Sequence, residues 1–317
     1  MRGWAWIGIL GMTFVCGGAT CARRDTGLVF PPPPPMLSDT PSLEEVTAAL
    51  RRTDAIRQLA TNSASVDVLT MPSLPTLSAT MQVQRDRDFR LRASLPVVMG
   101  AGLDLGSNRE LFWFEVPEGI RRTLYYARHE EYREQLPRAV LPVDPTWLME
   151  AIGLVHVDPE LVVAGPVRRE DGKLEIRSTV PMPRGDYQRV LYVENPGGFV
   201  THQFLYEPGG RLVAVSEASN HRFYESPGCA LPHRIRFELL PADDPPLAMQ
   251  IDIGGYLVNQ LLSDDPNLFA MPTGAAKTED LTRMGGPPGV ASAPSHYSVR
   301  RRETAPFRGL GHDPRLR

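Results

Sequence analysis

The residues whose types could carry chemistry are few and scattered. His129-Glu130-Glu131 brings three potential metal ligands or proton carriers together, and His202, His221 and His233 lie near Glu217 and Glu225 in sequence. Neighbouring residues on a strand point to opposite faces, so one metal is not easily held by all three of His129, Glu130 and Glu131. That triplet reads as a solvated charged turn, and the three later histidines read as surface residues on strands. Cys229, in Pro227-Gly228-Cys229, reads as a small half-buried thiol. There is no Gly-x-Ser-x-Gly elbow, His-Glu-x-x-His pair, phosphate-binding glycine loop or Cys-x-x-Cys knuckle. The expectation is a protein that is not an enzyme, with no cofactor and no metal.

The other two cysteines sit at the start of the chain. Met1-Arg2 gives a positive start, and Trp4 to Val15 is uncharged and apolar, the layout of a secretory signal peptide. Small residues, Gly17-Gly18-Ala19-Thr20, then lead into Cys21, and charge returns at Arg23-Arg24-Asp25. This stretch resembles a bacterial lipoprotein precursor, which implies acylation of Cys21 as the new N-terminus. Cys16 is the alternative, although it follows the bulky Val15, and an uncleaved anchor over Gly3 to Cys21 is a further one. Five prolines, Pro31 to Pro35, form a stiff spacer of roughly 15 Å in a polyproline helix.

The elements that must position any site begin after this spacer. The chain has 317 residues, 42% hydrophobic and 22% charged, with a net charge of -3, so nothing marks it as a nucleic-acid binder. Residues 266 to 317 are basic and rich in Pro and Gly, with few large apolar side chains, and 271–317 is expected to be a disordered tail. The expected organisation is a signal peptide over 1–20, a Pro-rich tether over 21–39 and one domain over 40–270.

Within that domain, Thr40 as N-cap and Pro41 at the first position predict a helix. Its apolar face would carry Leu43, Val46, Ala49, Leu50, Ile56 and Leu59. The period then changes to two. Strands are expected at 64–69, 78–84, 89–95, 110–116 and 121–127, then at 161–167, 173–180, 189–194, 199–206, 211–216, 234–239 and 247–256. They follow one another too closely for crossover helices, so the sheet should be antiparallel. A second helix is predicted over 144–154, with Asp144 as cap. The run Leu111-Phe112-Trp113-Phe114 has large apolar groups on both faces, as expected of a strand covered on both sides or lining a cavity.

Taken in order, Cys21, the proline spacer, the Leu43-Glu44-Glu45-Val46 helix, the strands Ser65-Val66-Asp67-Val68, Phe89-Arg90-Leu91-Arg92 and Glu110 to Phe114, and Arg234-Ile235-Arg236-Phe237 resemble the LolA/LolB-like superfamily of lipoprotein-sorting proteins. The resemblance spans roughly residues 43 to 270. It implies a mainly β fold with a few helices (α+β), in which a strongly curved antiparallel sheet forms an incomplete barrel covered by helices. The implied function is a membrane-anchored monomer at the periplasmic face of the outer membrane. Its apolar cavity would take acyl chains of lipids or lipoproteins and assist their transfer or insertion. Leu111, Phe112, Trp113, Phe114, Trp147, Leu148 and Ile152 are the candidate lining residues. A packed interior would instead indicate an envelope scaffold lipoprotein that binds protein partners.

Overall fold

The alternation of apolar and polar side chains that dominates the sequence produces strands throughout the computed structural model. The structure describes residues 32–95, 102–118, 121–136 and 141–283. The expected signal peptide over 1–20 with its Cys16, the candidate Cys21 and residues 284–317 lie outside these residues.

A short helix, α1 (Leu43–Leu50), comes first. It is followed by a first meander of β1 (Gln58–Val68), β2 (Leu77–Gln84), β3 (Asp88–Ser94), β4 (Gly102–Ser107), β5 (Leu111–Glu118) and β6 (Arg121–Arg128). Two further short helices, α2 (His129–Arg133) and α3 (Thr146–Ala151), lead into a second series of strands. These are β7 (Val162–Arg168), β8 (Leu174–Val180), β9 (Tyr187–Val193), β10 (Val200–Tyr206) and β11 (Leu212–Ser219). A small two-stranded ribbon of β12 (Arg222–Tyr224) and β13 (Cys229–Leu231) interrupts the series, which resumes with β14 (Arg234–Leu239) and β15 (Leu247–Ile253). β16 (Leu257–Val258) adds to β1, and β17 (Lys277–Asp280) adds to β6.

All but the two-stranded ribbon belong to one 15-stranded sheet. It runs from β17 through β6 to β1, crosses to β15, and ends at β7. The sheet is large, curved and not closed. Its ladders are antiparallel except that of β17, which lies parallel to β6. The joint between the two series is the pairing of β1 with β15, in which Val66 lies opposite Ile251 and Val68 opposite Met249.

Two apolar clusters follow from this arrangement. The larger draws on β1, β2, β3, β5, β11, β14 and β15, with Tyr132 of α2 and Trp147, Met149 and Ala151 of α3 in the same cluster. The smaller joins Leu37 and the α1 residues Val46, Ala49 and Leu50 to Ile176 of β8 and Leu191 of β9.

Several expectations are corrected. The cap of α1 is Ser42 and not Thr40: the Ser42 hydroxyl accepts the Glu45 N–H at 3.1 Å, a contact worth about 1 kcal/mol. The helix also stops early. Residues Arg51–Ala55 tighten into a 3-10 turn and Ile56 is extended, so Leu59, expected on the helix, is a fully buried strand residue. The second helix is shorter than 144–154. β4 was not expected, because Gly102 and Gly106 weaken its strand signal.

Both ends of the domain also run further than expected. Before α1, the N–H groups of Met36 and Leu37 donate to the Pro196 carbonyl at 2.7 and 3.0 Å, and Leu37 is buried. The last residues of the expected tether are therefore docked. After residue 270, β17 completes a ladder with β6, and Leu281 is 3% exposed within the main cluster. Leu281→Ala should therefore lower the unfolding free energy by about 2 to 4 kcal/mol, read as a fall in denaturant midpoint. A midpoint unchanged within error would show that this segment adds nothing to the fold.

Candidate functional site: the aromatic strand and the helix pair facing it

Alternation along β5 separates its aromatic residues into two environments. Phe112 and Phe114 point to the main cluster, one within it and the other packed against it. The Phe112 ring meets Tyr132 of α2 edge-to-face at 4.8 Å, and Phe114 stacks on Tyr125 at 4.9 Å.

Trp113 points the other way. Its indole covers Gly106 of the neighbouring strand so closely that a Cβ there would lie 2.1 Å from the ring. The Arg90 guanidinium sits 5.6 Å from the ring centroid, and Asp104 is 3.4 Å from Nε1. Arg90 is itself buried, pairs with Asp104 at 2.7 Å, and donates to the Leu268 carbonyl at 2.8 Å. Trp113 thus belongs to a polar outer layer strapped by the segment that follows β16. Leu111 shares its side of the strand and is half-buried.

The other candidates come from α3. Trp147 and Ile152 lie within the main cluster and Leu148 packs against it. Trp147 meets Phe237 of β14 edge-to-face at 6.3 Å. The structure therefore brings Phe112, Phe114, Trp147, Leu148 and Ile152 to one apolar interior, and separates Leu111 and Trp113 from it. These interior side chains are packed against one another. Near the ribbon, Thr53, Val155, Phe199, His221 and Cys229 help line a cavity of about 20 Å³, room for a single water.

Of the polar groups around the helix pair, sequence reasoning named Asp144, as a cap, and missed Arg133, Glu150, Arg189 and Gln203. Asp144 precedes α3 and accepts from the Thr146 N–H at 2.9 Å and the Thr146 hydroxyl at 2.7 Å. It also pairs with Arg133 of α2 at 2.5 Å. Burial pushes the Asp144 carboxyl up, but Arg133 and the Thr146 bonds outweigh it and leave its pKa below the ordinary value. At the far end of α3, Glu150 pairs with Arg189 at 2.8 Å and accepts from the Gln203 amide at 2.7 Å. The Tyr132 hydroxyl donates to the Leu141 carbonyl at 2.8 Å.

Three buried atoms on this side have no hydrogen-bond partner among the described residues: Trp147 Nε1, Gln203 Oε1 and His129 Nδ1. An unpaired buried donor or acceptor costs about 1 to 3 kcal/mol. The Glu150 to Gln203 contact links residues 53 apart in sequence, and no local motif signals it.

The histidines are placed differently from expectation. His129, Glu130 and Glu131 form the first turn of α2 and not a loop, and His129 is 2% exposed. Burial holds its pKa below the ordinary imidazole value. His233 is buried, 2.7 Å from the Ile253 carbonyl and 2.9 Å from the Tyr224 hydroxyl. His221 stacks on Phe199 at 4.1 Å, and burial lowers its pKa to about 4. Cys229 is a buried free thiol whose pKa burial raises to about 11, which leaves it unreactive at neutral pH. Among the described residues, no three His, Cys, Asp or Glu side chains converge as metal ligands.

No protein-family model matches the sequence, and no curated protein matches it significantly. Several solved structures are similar in fold. A domain described as an outer-membrane lipoprotein-sorting protein from Vibrio parahaemolyticus is 10% identical, with a TM-score of 0.44 over 70% of this chain and 95% of that one. A LolA superfamily protein from Nitrosomonas europaea is 13% identical, with a TM-score of 0.40 over 68% and 94%. A DUF1329 family protein from Desulfovibrio piger is 13% identical, with a TM-score of 0.45 over 69% and 93%.

The Asp144 contacts generate a pH-dependent prediction. A carboxyl whose pKa is lower folded than unfolded stabilises the fold above its unfolded pKa, and loses that contribution as pH falls through the folded value. Asp144→Asn should cost about 2 kcal/mol at pH 7. The gap between variant and wild type should close as pH drops below the ordinary carboxylate range, in denaturant titrations at each pH. A gap that stays constant down to pH 2 would rule out the Asp144 ion pair as its source.

Proposed function

We propose that this chain is a non-enzymatic envelope lipoprotein, anchored through an acylated Cys21, whose sheet binds the acyl chain of a lipid or lipoprotein during transfer or insertion at the outer membrane. The acyl chain lies between the inner face of the sheet and the α2–α3 segment, which acts as a displaceable cover. Phe112, Phe114 and Phe237 would line one wall, and Trp147, Leu148 and Ile152 the other.

The observation that carries this reading is Trp147. It is buried as a member of the main apolar cluster, yet its indole N–H has no partner among the described residues. The ester or amide carbonyl of an acylated ligand would supply one. The helices that bear the cover are also slight, five residues in α2 and six in α3. Helices this short owe their form to packing and not to propensity. Exchanging the cover's apolar side chains for an acyl chain replaces one apolar contact by another, so the net cost is small. The same balance allows release, since each buried methylene is worth about 0.8 kcal/mol and a permanently open apolar cavity would hold its cargo too firmly.

The packed interior favours a second reading, a scaffold lipoprotein whose sheet is simply filled. Quenching by a bromine-labelled fatty acid separates the two. An acyl chain between sheet and cover should quench Trp147 and leave Trp113, on the opposite face, unaffected. Saturable quenching should therefore persist in Trp113→Phe and disappear in Trp147→Phe. A folded chain that shows no saturable quenching is a scaffold.

A further inference from the structure

On the reading that the interior takes an acyl chain, we infer that an open cleft beside α3 holds the head group of that amphiphile, and that the head group is a zwitterion of phosphate and ammonium. The cleft has a volume of about 490 Å³. One wall comes from Arg57 and from Arg85 and Asp86 after β2, the other from Thr146, Met149 and Glu150 of α3. The Arg85 N–H donates to the Arg57 carbonyl at 2.9 Å, so both arginines belong to one rim.

Most of the charge in the cleft is already matched. Arg85 pairs with Asp54 at 2.9 Å and also donates to the Thr53 carbonyl. Glu150 is committed to Arg189 and Gln203. His156 also lines the cleft and lies 3.6 Å from the Asp54 carboxylate, which leaves two groups, Arg57 and Asp86, both exposed. Neither forms an ion pair among the described residues, with the other or with any third group. The rim thus offers one uncommitted cation and one uncommitted anion.

The floor is of a different kind. Met149 and Leu154 line the cleft and are also members of the main apolar cluster, so the polar rim is continuous with the apolar interior. That sequence of surfaces fits an amphiphile lying with its head in the cleft and its chain under the cover. A purely anionic head group would satisfy Arg57 and set a like charge against Asp86. An uncharged one would leave both groups unmatched. A phosphate bonded to Arg57 with an ammonium beside Asp86 satisfies both, since a guanidinium donates in pairs to phosphate oxygens.

Three amphiphiles with one common acyl chain test this on the full-length protein: lysophosphatidylethanolamine, lysophosphatidic acid and monoacylglycerol. O-phosphoethanolamine, which has no acyl chain, is the fourth ligand. Binding should be tightest for lysophosphatidylethanolamine. Arg57→Gln should weaken both phosphate lipids about tenfold and leave monoacylglycerol unchanged, and Asp86→Asn should weaken lysophosphatidylethanolamine alone. Both side chains are exposed, and an unchanged melting temperature confirms that each variant folds. Equal binding of all three lipids by the wild-type chain overturns the head-group inference and leaves the acyl reading standing. Absence of binding by any of them overturns both. Binding of O-phosphoethanolamine as tight as that of its lipid assigns the cleft to a free phosphate ester and overturns the amphiphile.

Discussion

The pairing of β1 with β15 is the constraint on which the rest of the fold depends. Each series of strands is built mostly from pairings between neighbours in the chain, and the two become one sheet only where β1 and β15 meet. The contact joins residues 64–68 to 249–253, so a very long loop must close before any pairing energy is recovered. Its register is set by burial. Val66 and Ile251 face each other at 0% and 3% exposure, and a slip by one residue would turn every apolar side chain of the strand to the opposite face. On the other edge of β1, the ladder with β2 shifts register between Thr61 and Ala64. There the Gly254 N–H reaches the Ser63 carbonyl at 2.6 Å, in a space where any Cβ would meet the Ser63 hydroxyl at 2.8 Å. β16 then takes over as the partner of Leu59 and Ala60.

From that joint the sheet acquires two unlike faces. The inner one is apolar and gathers Phe112, Phe237 and the side chains of α2 and α3. The outer one near β5 is polar but still buried: Arg90, Asp104, Trp113 and the carbonyls of the strap after β16 satisfy one another. Breaking a buried ion pair costs more than replacing it would, and here the Arg90–Asp104 pair packs against the Trp113 indole. The aromatic run that is continuous in sequence is therefore divided in space, and half of it serves the scaffold.

Polar contacts tie α2 and α3 to the sheet at both ends of the segment: His129 Nε2 lies 2.8 Å from the Asn108 carbonyl at one end, and Glu150 meets Arg189 and Gln203 at the other. Between them, the Arg133–Asp144 pair and the Tyr132–Leu141 hydrogen bonds link the two helices to each other. The cleft of Arg57, Asp86 and Glu150 opens beside one of those two anchor points, so a group bound there would lie against α3.

The sequence by itself determined most of the strands, because a period of two with Pro, Gly or Asn at the breaks is a local signal; β2, β3, β8 and β14 fall within a residue or so of expectation. It also determined that Phe112 and Phe114 share one face of β5 and Trp113 the other. Only the tertiary structure decided which of those faces is the interior, since both are buried and alternation carries no sign. Leu59 obeys helical spacing as well as strand spacing, and its partners on β2 and β16 settled the choice. Gly102 to Ser107 has weak strand propensity, yet β3 and β5 on either side give its backbone hydrogen bonds a place to go. Lys277–Asp280 has no apolar pattern at all and is a strand because β6 leaves an edge to pair with. In each case the deciding energy came from groups far away in the chain, and a local pattern cannot encode a partner it does not contain.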